Sequence, residues 1–115
     1  SRIEAAIDAP PMKRHAVLPE ALAELDEAAS WYEEQDEGLG LDLLAEYRDR
    51  LSRALAAPSA GAIVGTTPLG AVVRRFSCHR FDRYGIMLAT IRGVPTVLAF
   101  VHTSRRPGYW RDRVK

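Results

Sequence analysis

The chain carries two kinds of apolar spacing. Between Pro19 and Ala57 the apolar positions recur every three or four residues; beyond Ala71 they alternate or run together. Leu22, Leu25, Ala29 and Tyr32 stand at i, i+3, i+7 and i+10, one face of a helix. Glu24, Asp26, Glu27, Glu33 and Glu34 lie mostly off that face. Pro19 suits a first helical turn, and Glu20 follows where the positive end of the helix favours an acid. Gly38-Leu39-Gly40 reads as the stop, glycine supplying the left-handed conformation after the last turn. A second helix is predicted over residues 41–57, with Leu44, Tyr47, Leu51 and Leu55 as its stripe and Pro58 ending it. Two amphipathic helices joined by so short a link form an antiparallel hairpin.

The spacing then changes. Residues 58–70 are rich in Gly and Pro and are expected to form a loop. Strands are predicted over 71–79, 84–91 and 94–103, with Arg92-Gly93 as a two-residue hairpin connection. In the last strand Val97, Ala99 and Val101 should face one side and Leu98, Phe100 and His102 the other. Both sides are apolar, which predicts a central strand with helices over one face. Residues 13–18, before Pro19, suit a short edge strand. The pattern is β-α-α-β-β-β, an α+β domain with an N-terminal helical hairpin packed on a small, mostly antiparallel sheet.

Composition narrows the class. One domain fits in 115 residues, and with 47% hydrophobic residues it is expected to be globular. Residues 12–115 form that domain. Ser1 is no initiator and Met12 reads as a fresh start, so residues 1–11 are set aside as an extension, either a leftover or an alternative upstream start. Cys78 is the only cysteine, which excludes an internal disulfide and a cysteine metal cluster and fits a reducing cytosol. No apolar stretch approaches the roughly 20 residues of a membrane span, so a cytoplasmic protein without membrane contact is expected. Three scattered histidines give no metal-ligand spacing and no Gly-rich phosphate loop is present, so no metal and no cofactor is expected.

Charge changes the picture more. Residues 1–57 hold six Lys and Arg against thirteen Asp and Glu, a net of −7; residues 58–115 hold ten against two, a net of +8. Such a split suggests one face for anions or acidic partners, although exposed acidic helices beside an arginine-rich sheet would also produce it. The stretch from His102 to Lys115 concentrates the chemistry: Arg105-Arg106, Pro107-Gly108 and Tyr109-Trp110. Guanidinium groups beside flat aromatics suit a gripping surface. Alternatively the tail folds back, Tyr109 and Trp110 plug the core edge, and the arginines stay solvated.

Ordered along the chain, Ala28-Ala29-Ser30-Trp31-Tyr32-Glu33-Glu34-Gln35, Gly38-Leu39-Gly40, Pro58, Val73-Arg74-Arg75-Phe76, Phe81, Tyr84-Gly85-Ile86 and Val97-Leu98-Ala99-Phe100-Val101-His102 lead to Arg105, Arg106, Pro107, Tyr109 and Trp110. In this order and spacing the chain, from about Arg14 to Arg113, resembles the ParE/RelE toxins of bacterial type II toxin–antitoxin systems. The family's Phe-Pro-Tyr stands here as Phe81-Asp82-Arg83-Tyr84, one residue longer and without the proline. The resemblance implies growth inhibition, silenced by a cognate antitoxin from a neighbouring gene. It leaves two mechanisms open: poisoning of DNA gyrase, as in ParE-like members, and ribosome-dependent mRNA cleavage, as in RelE-like ones. A non-toxic interaction module on the same fold is a third reading, and a homodimer or a toxin–antitoxin heterotetramer is an expected assembly.

RNA cleavage needs proton carriers and cations around the phosphate. His102 and Tyr109 are the candidate carriers, Arg74 and Arg105 the candidate clamps, with Arg75 in support. The basic half holds only one lysine, Lys115, and two acids, Asp82 and Asp112, neither at an evident base position. That favours the gyrase reading, in which Arg74, Arg75, Arg105, Arg106, Tyr109 and Trp110 grip the target and nothing is catalysed. Leu22, Leu25, Tyr32, Leu44 and Leu51 are the candidate antitoxin contacts. Each group also has a plainer use: His102 as a core histidine, Arg74 paired with Glu46 or Asp49, Trp31 and Tyr32 as hairpin packing, His15 and His79 as exposed residues.

Overall fold

The computed structural model describes residues 12–114. The extension proposed for residues 1–11 therefore lies outside the described residues. Strand β1 (Ala16–Val17) leads into helices α1 (Pro19–Gln35) and α2 (Leu39–Ala56). A 3-10 turn (Pro58–Ala60) precedes strands β2 (Ala62–Thr66), β3 (Val72–Ser77), β4 (Tyr84–Ile91) and β5 (Val94–His102), and a second 3-10 turn (Arg111–Arg113) follows. The sheet order is β1-β5-β4-β3-β2, with β1 parallel to β5 and every other pair antiparallel. The α+β class and the helical hairpin are as expected.

The stretch expected to be a loop, residues 58–70, is not one. It contains β2, which lengthens the order to β-α-α-β-β-β-β. Ala-Ile-Val-Gly-Thr shows no alternation, and most of its residues are exposed, so no periodicity announces it; the open side of β3 recruits it. Gly38-Leu39-Gly40 does more than end a helix. Gly38 turns the chain at φ 86, and α2 has already begun at Leu39. Gly40 lies where the helices meet, and a Cβ there would come 2.4 Å from the Ala29 carbonyl oxygen. Glu33 completes the junction, accepting from the Gly38 and Gly40 amides at 2.8 and 3.0 Å and so capping α2 from the preceding helix.

The second correction is in β5. Met87 pairs with Ala99 but Leu88 pairs with Val97, so Leu98 is an inserted residue. The insertion breaks the expected alternation. Val97 and Phe100 join the helix-side core with Leu43, Leu51 and Ile86. Leu98, Ala99 and Val101 join a second core with Val73, Met87 and Trp110 on the opposite face of the sheet. At the β4–β5 turn Arg92 (φ 50) and Gly93 (φ 81) both take positive φ, as a two-residue hairpin of this twist requires.

Candidate functional site

β1 pairs with β5 for two residues only, through Thr96 and Val97. Beyond that point the open edge of β5 would leave backbone groups unpaired. Glu24 of α1 reaches it and accepts from the Phe100 amide at 3.1 Å. Arg113 donates to the Leu98 carbonyl at 3.0 Å and pairs with Glu24 at 2.7 and 3.1 Å. The Tyr109 hydroxyl donates to the same carboxylate. One acid thus ties helix, strand edge and tail together. Its side chain and that of Arg113 are each 14% exposed, a partly buried pair whose oxygens are fully engaged.

Beside this knot lies a groove of about 310 Å³, lined by Trp31, Tyr32, Tyr84, His102, Arg105 and Tyr109 among others. Tyr84 stacks on Phe100 with ring centroids 4.9 Å apart and meets the His102 ring edge-on at 5.0 Å. His102 is half-buried. Its Nδ1 accepts from the Ser104 amide at 3.0 Å, with the Ser104 hydroxyl 2.8 Å away. Accepting from a backbone N–H fixes Nδ1 as the lone-pair nitrogen, so the neutral ring carries its proton on Nε2. In that form neither ring nitrogen is free to act as a base. Tyr109 lies between two guanidiniums, Arg105 at 4.1 Å and Arg113 at 4.9 Å from its centroid. Burial, then the Glu24 contact, push its hydroxyl up to about 12, far from a useful proton carrier at neutral pH.

The remaining candidates are dispersed. Arg74 does not pair with Glu46 or Asp49; it donates to the Gly61 and Ser59 carbonyls at 2.7 and 3.3 Å and anchors the approach to β2. Glu46 instead accepts from the Arg80 and Phe81 amides at 2.9 and 3.1 Å, and Asp49 bonds Arg53 on its own helix. Arg75, on the opposite face from Arg74, lies across Gly85 with Nε 3.3 Å from the Ser77 hydroxyl. Arg106 is exposed. Trp110 is 3% exposed, inside the second core, with Gly65 beneath it. Of the candidate antitoxin contacts, Leu25 and Leu51 are core residues, Tyr32 and Leu44 are half-buried against that core, and Leu22 stands 52% exposed. His79 is exposed as expected, whereas His15 is half-buried, with Nδ1 2.9 Å from the Lys13 carbonyl.

Glu24, Ser104 and Arg113 are the functional neighbours that the sequence did not single out. Nothing in the spacing connects Glu24 to a residue 89 positions later. Among the described residues, no three His, Cys, Asp or Glu side chains gather as a metal-ligating group. No helix among the described residues is long and apolar enough to cross a membrane. Compared with known protein families and with curated proteins, the chain matches none.

Proposed function

We propose that this chain is the toxin of a type II toxin–antitoxin module, that it acts in the ParE manner by gripping DNA gyrase, and that a cognate antitoxin silences it. The ordered motif residues and an α+β fold with a helical hairpin on one face support the family. The observation that carries the mechanism is dispersal. The groups an RNA-cleaving centre would need converge only in part: His102, Arg105 and Tyr109 line one groove, but Arg74 holds a loop, Arg75 lies on the other face of the sheet, and Tyr109 is committed to Glu24. Arg105, Arg106 and Arg111 are exposed cations of the tail, and Arg105 lines an aromatic groove suited to a protein contact.

A second reading, ribosome-dependent mRNA cleavage, draws on one observation: His102, Arg105 and Tyr109 share that groove. One experiment separates them. Purified protein is expected to inhibit gyrase-catalysed supercoiling, to trap cleaved DNA on the enzyme, and to leave mRNA intact on programmed ribosomes. Codon-positioned mRNA cleavage that falls about 10²–10⁴-fold in His102→Gln would establish the nuclease instead. Neither activity, with antitoxin binding intact, would leave the non-toxic interaction module.

A further inference from the structure

Many arginines of this fold are committed within it. Arg74 holds the Gly61 carbonyl, Arg53 pairs with Asp49, Arg80 with Asp42 and Arg113 with Glu24. Arg14 and Arg92 are not. Both are exposed, and among the described residues neither has an ion-pair or hydrogen-bond partner. The fold nevertheless gathers them. Parallel pairing of Ala16 with Thr96 sets the approach to β1 beside the β4–β5 turn, and Arg14, Arg92 and Arg113 line one open groove of about 620 Å³. Among the described residues no Asp or Glu lines it. Arg92 carries a second signal. It takes φ 50 at the first position of a two-residue turn that usually holds Asn, Asp or Gly. A side chain is strained there, and glycine would serve the turn better. What arginine adds at this position is charge at the rim of the groove.

We propose that this groove binds the phosphate backbone of duplex DNA. Guanidinium forks with no acid lining the groove beside them suit phosphate oxygens. The lining selects the form of the nucleic acid. No Phe, Tyr or Trp is part of it, so the bases of a single strand have nothing to stack on. A duplex, which turns its phosphates outward, needs no such platform. Contact of this kind runs through two or three phosphates and carries no sequence information. The groove has no lining residue in common with the aromatic groove beside Glu24, so it stands whether or not the gyrase reading does.

The test is fluorescence anisotropy of a labelled duplex of about 20 base pairs, of arbitrary sequence, titrated with the intact chain. Half-saturation is expected at about 10–100 µM protein in about 50 mM salt, with a log–log salt slope of about −2 to −3. Arg92→Gly should reduce that slope by about 1 and raise the dissociation constant about threefold or more. It should also unfold at a urea midpoint no lower than wild type, because glycine takes the positive φ without strain. Arg14→Gln should reduce the slope likewise. Arg83→Gln removes an equal charge just before β4, at the end far from the turn, and should leave the slope unchanged. No binding by about 500 µM protein overturns the proposal, and so do equal slopes in Arg83→Gln and the two groove variants. Single-stranded DNA or poly-glutamate bound as tightly as the duplex overturns it too. Displacement of the duplex by inorganic phosphate, beyond that by chloride of equal ionic strength, would make this a small-anion site instead.

Discussion

The two faces of the sheet are closed by different means. On the helix side, α1 and α2 are neighbours in sequence, form as a hairpin, and bring Leu25, Leu43, Tyr47, Leu51 and Leu55 onto the sheet together. On the tail side, closure falls to an irregular segment that contributes Trp110, with Tyr109 and Val114 at the margin. The helix side is thus sealed by many redundant contacts, and the tail side chiefly by one buried indole, with a few half-buried residues at its margin and one carboxylate fastening the tail. Redundancy spreads the cost of any single loss; the tail side has no such reserve.

Trp110→Ala tests that contrast most severely. Removing a fully packed indole should cost about 3–5 kcal/mol, read as a lower urea midpoint. An unchanged midpoint would mean the tail only rests on the sheet. Glu24→Gln comes next, at about 2–3 kcal/mol, because it removes the charge that pairs Arg113 and turns one of the two accepting oxygens into a donor, so the partly buried guanidinium, the Tyr109 hydroxyl and the Phe100 amide must share one acceptor. Amide exchange should accelerate in residues 104–114 while α1 and α2 stay protected. Uniform acceleration in both would show that the two faces are one cooperative unit. On the helix side, Gly40→Ala should cost about 1–2 kcal/mol, since α1 and α2 must separate to admit a methyl group at the Ala29 carbonyl.

The smallest effect appears only in alkali. Burial pushes Cys78 up from 9.0 to about 12, and Tyr47 and Tyr109 up from 10.0 to about 12. All three folded values exceed the unfolded ones, so their stabilisation is complete below about pH 9 and is lost as pH rises toward 12. Urea midpoints should therefore be flat with respect to these groups from pH 7 to 9 and fall above it. Tyr109→Phe should remove the tail's share of that fall and leave the shares of Tyr47 and Cys78. An alkaline slope identical to wild type would exclude a role for the Tyr109–Glu24 contact.

The helical hairpin and the β4–β5 pair were legible in the sequence because their patterns are local. Leu44, Tyr47, Leu51 and Leu55 announce α2, and Arg92-Gly93 announces the turn. The bulge at Leu98 was hidden because Val-Leu-Ala-Phe-Val is apolar throughout, so slipping one residue leaves no polar marker out of place. β2 was hidden because its side chains face water. The tail's alternative readings divide between its residues: Tyr109 and Trp110 fold back, while Arg105 and Arg106 stay exposed. Dispersal of Arg74 from His102 needed the sheet register, since only pairing shows that they lie far apart along the strands.

The Glu24 knot also bears on the order of folding. Its bonds join residues 76, 85 and 89 positions apart, whereas the α1–α2 and β4–β5 hairpins close over short spans. Loop-closure entropy opposes such distant pairings until nearer contacts have shortened the effective chain. Glu24 should then be unformed at the folding barrier and present only beyond it. In a chevron experiment, Glu24→Gln should leave the refolding limb almost in place and raise the unfolding limb by nearly the whole equilibrium loss. The carboxylate that fastens the tail would set the lifetime of the native state rather than the speed of reaching it.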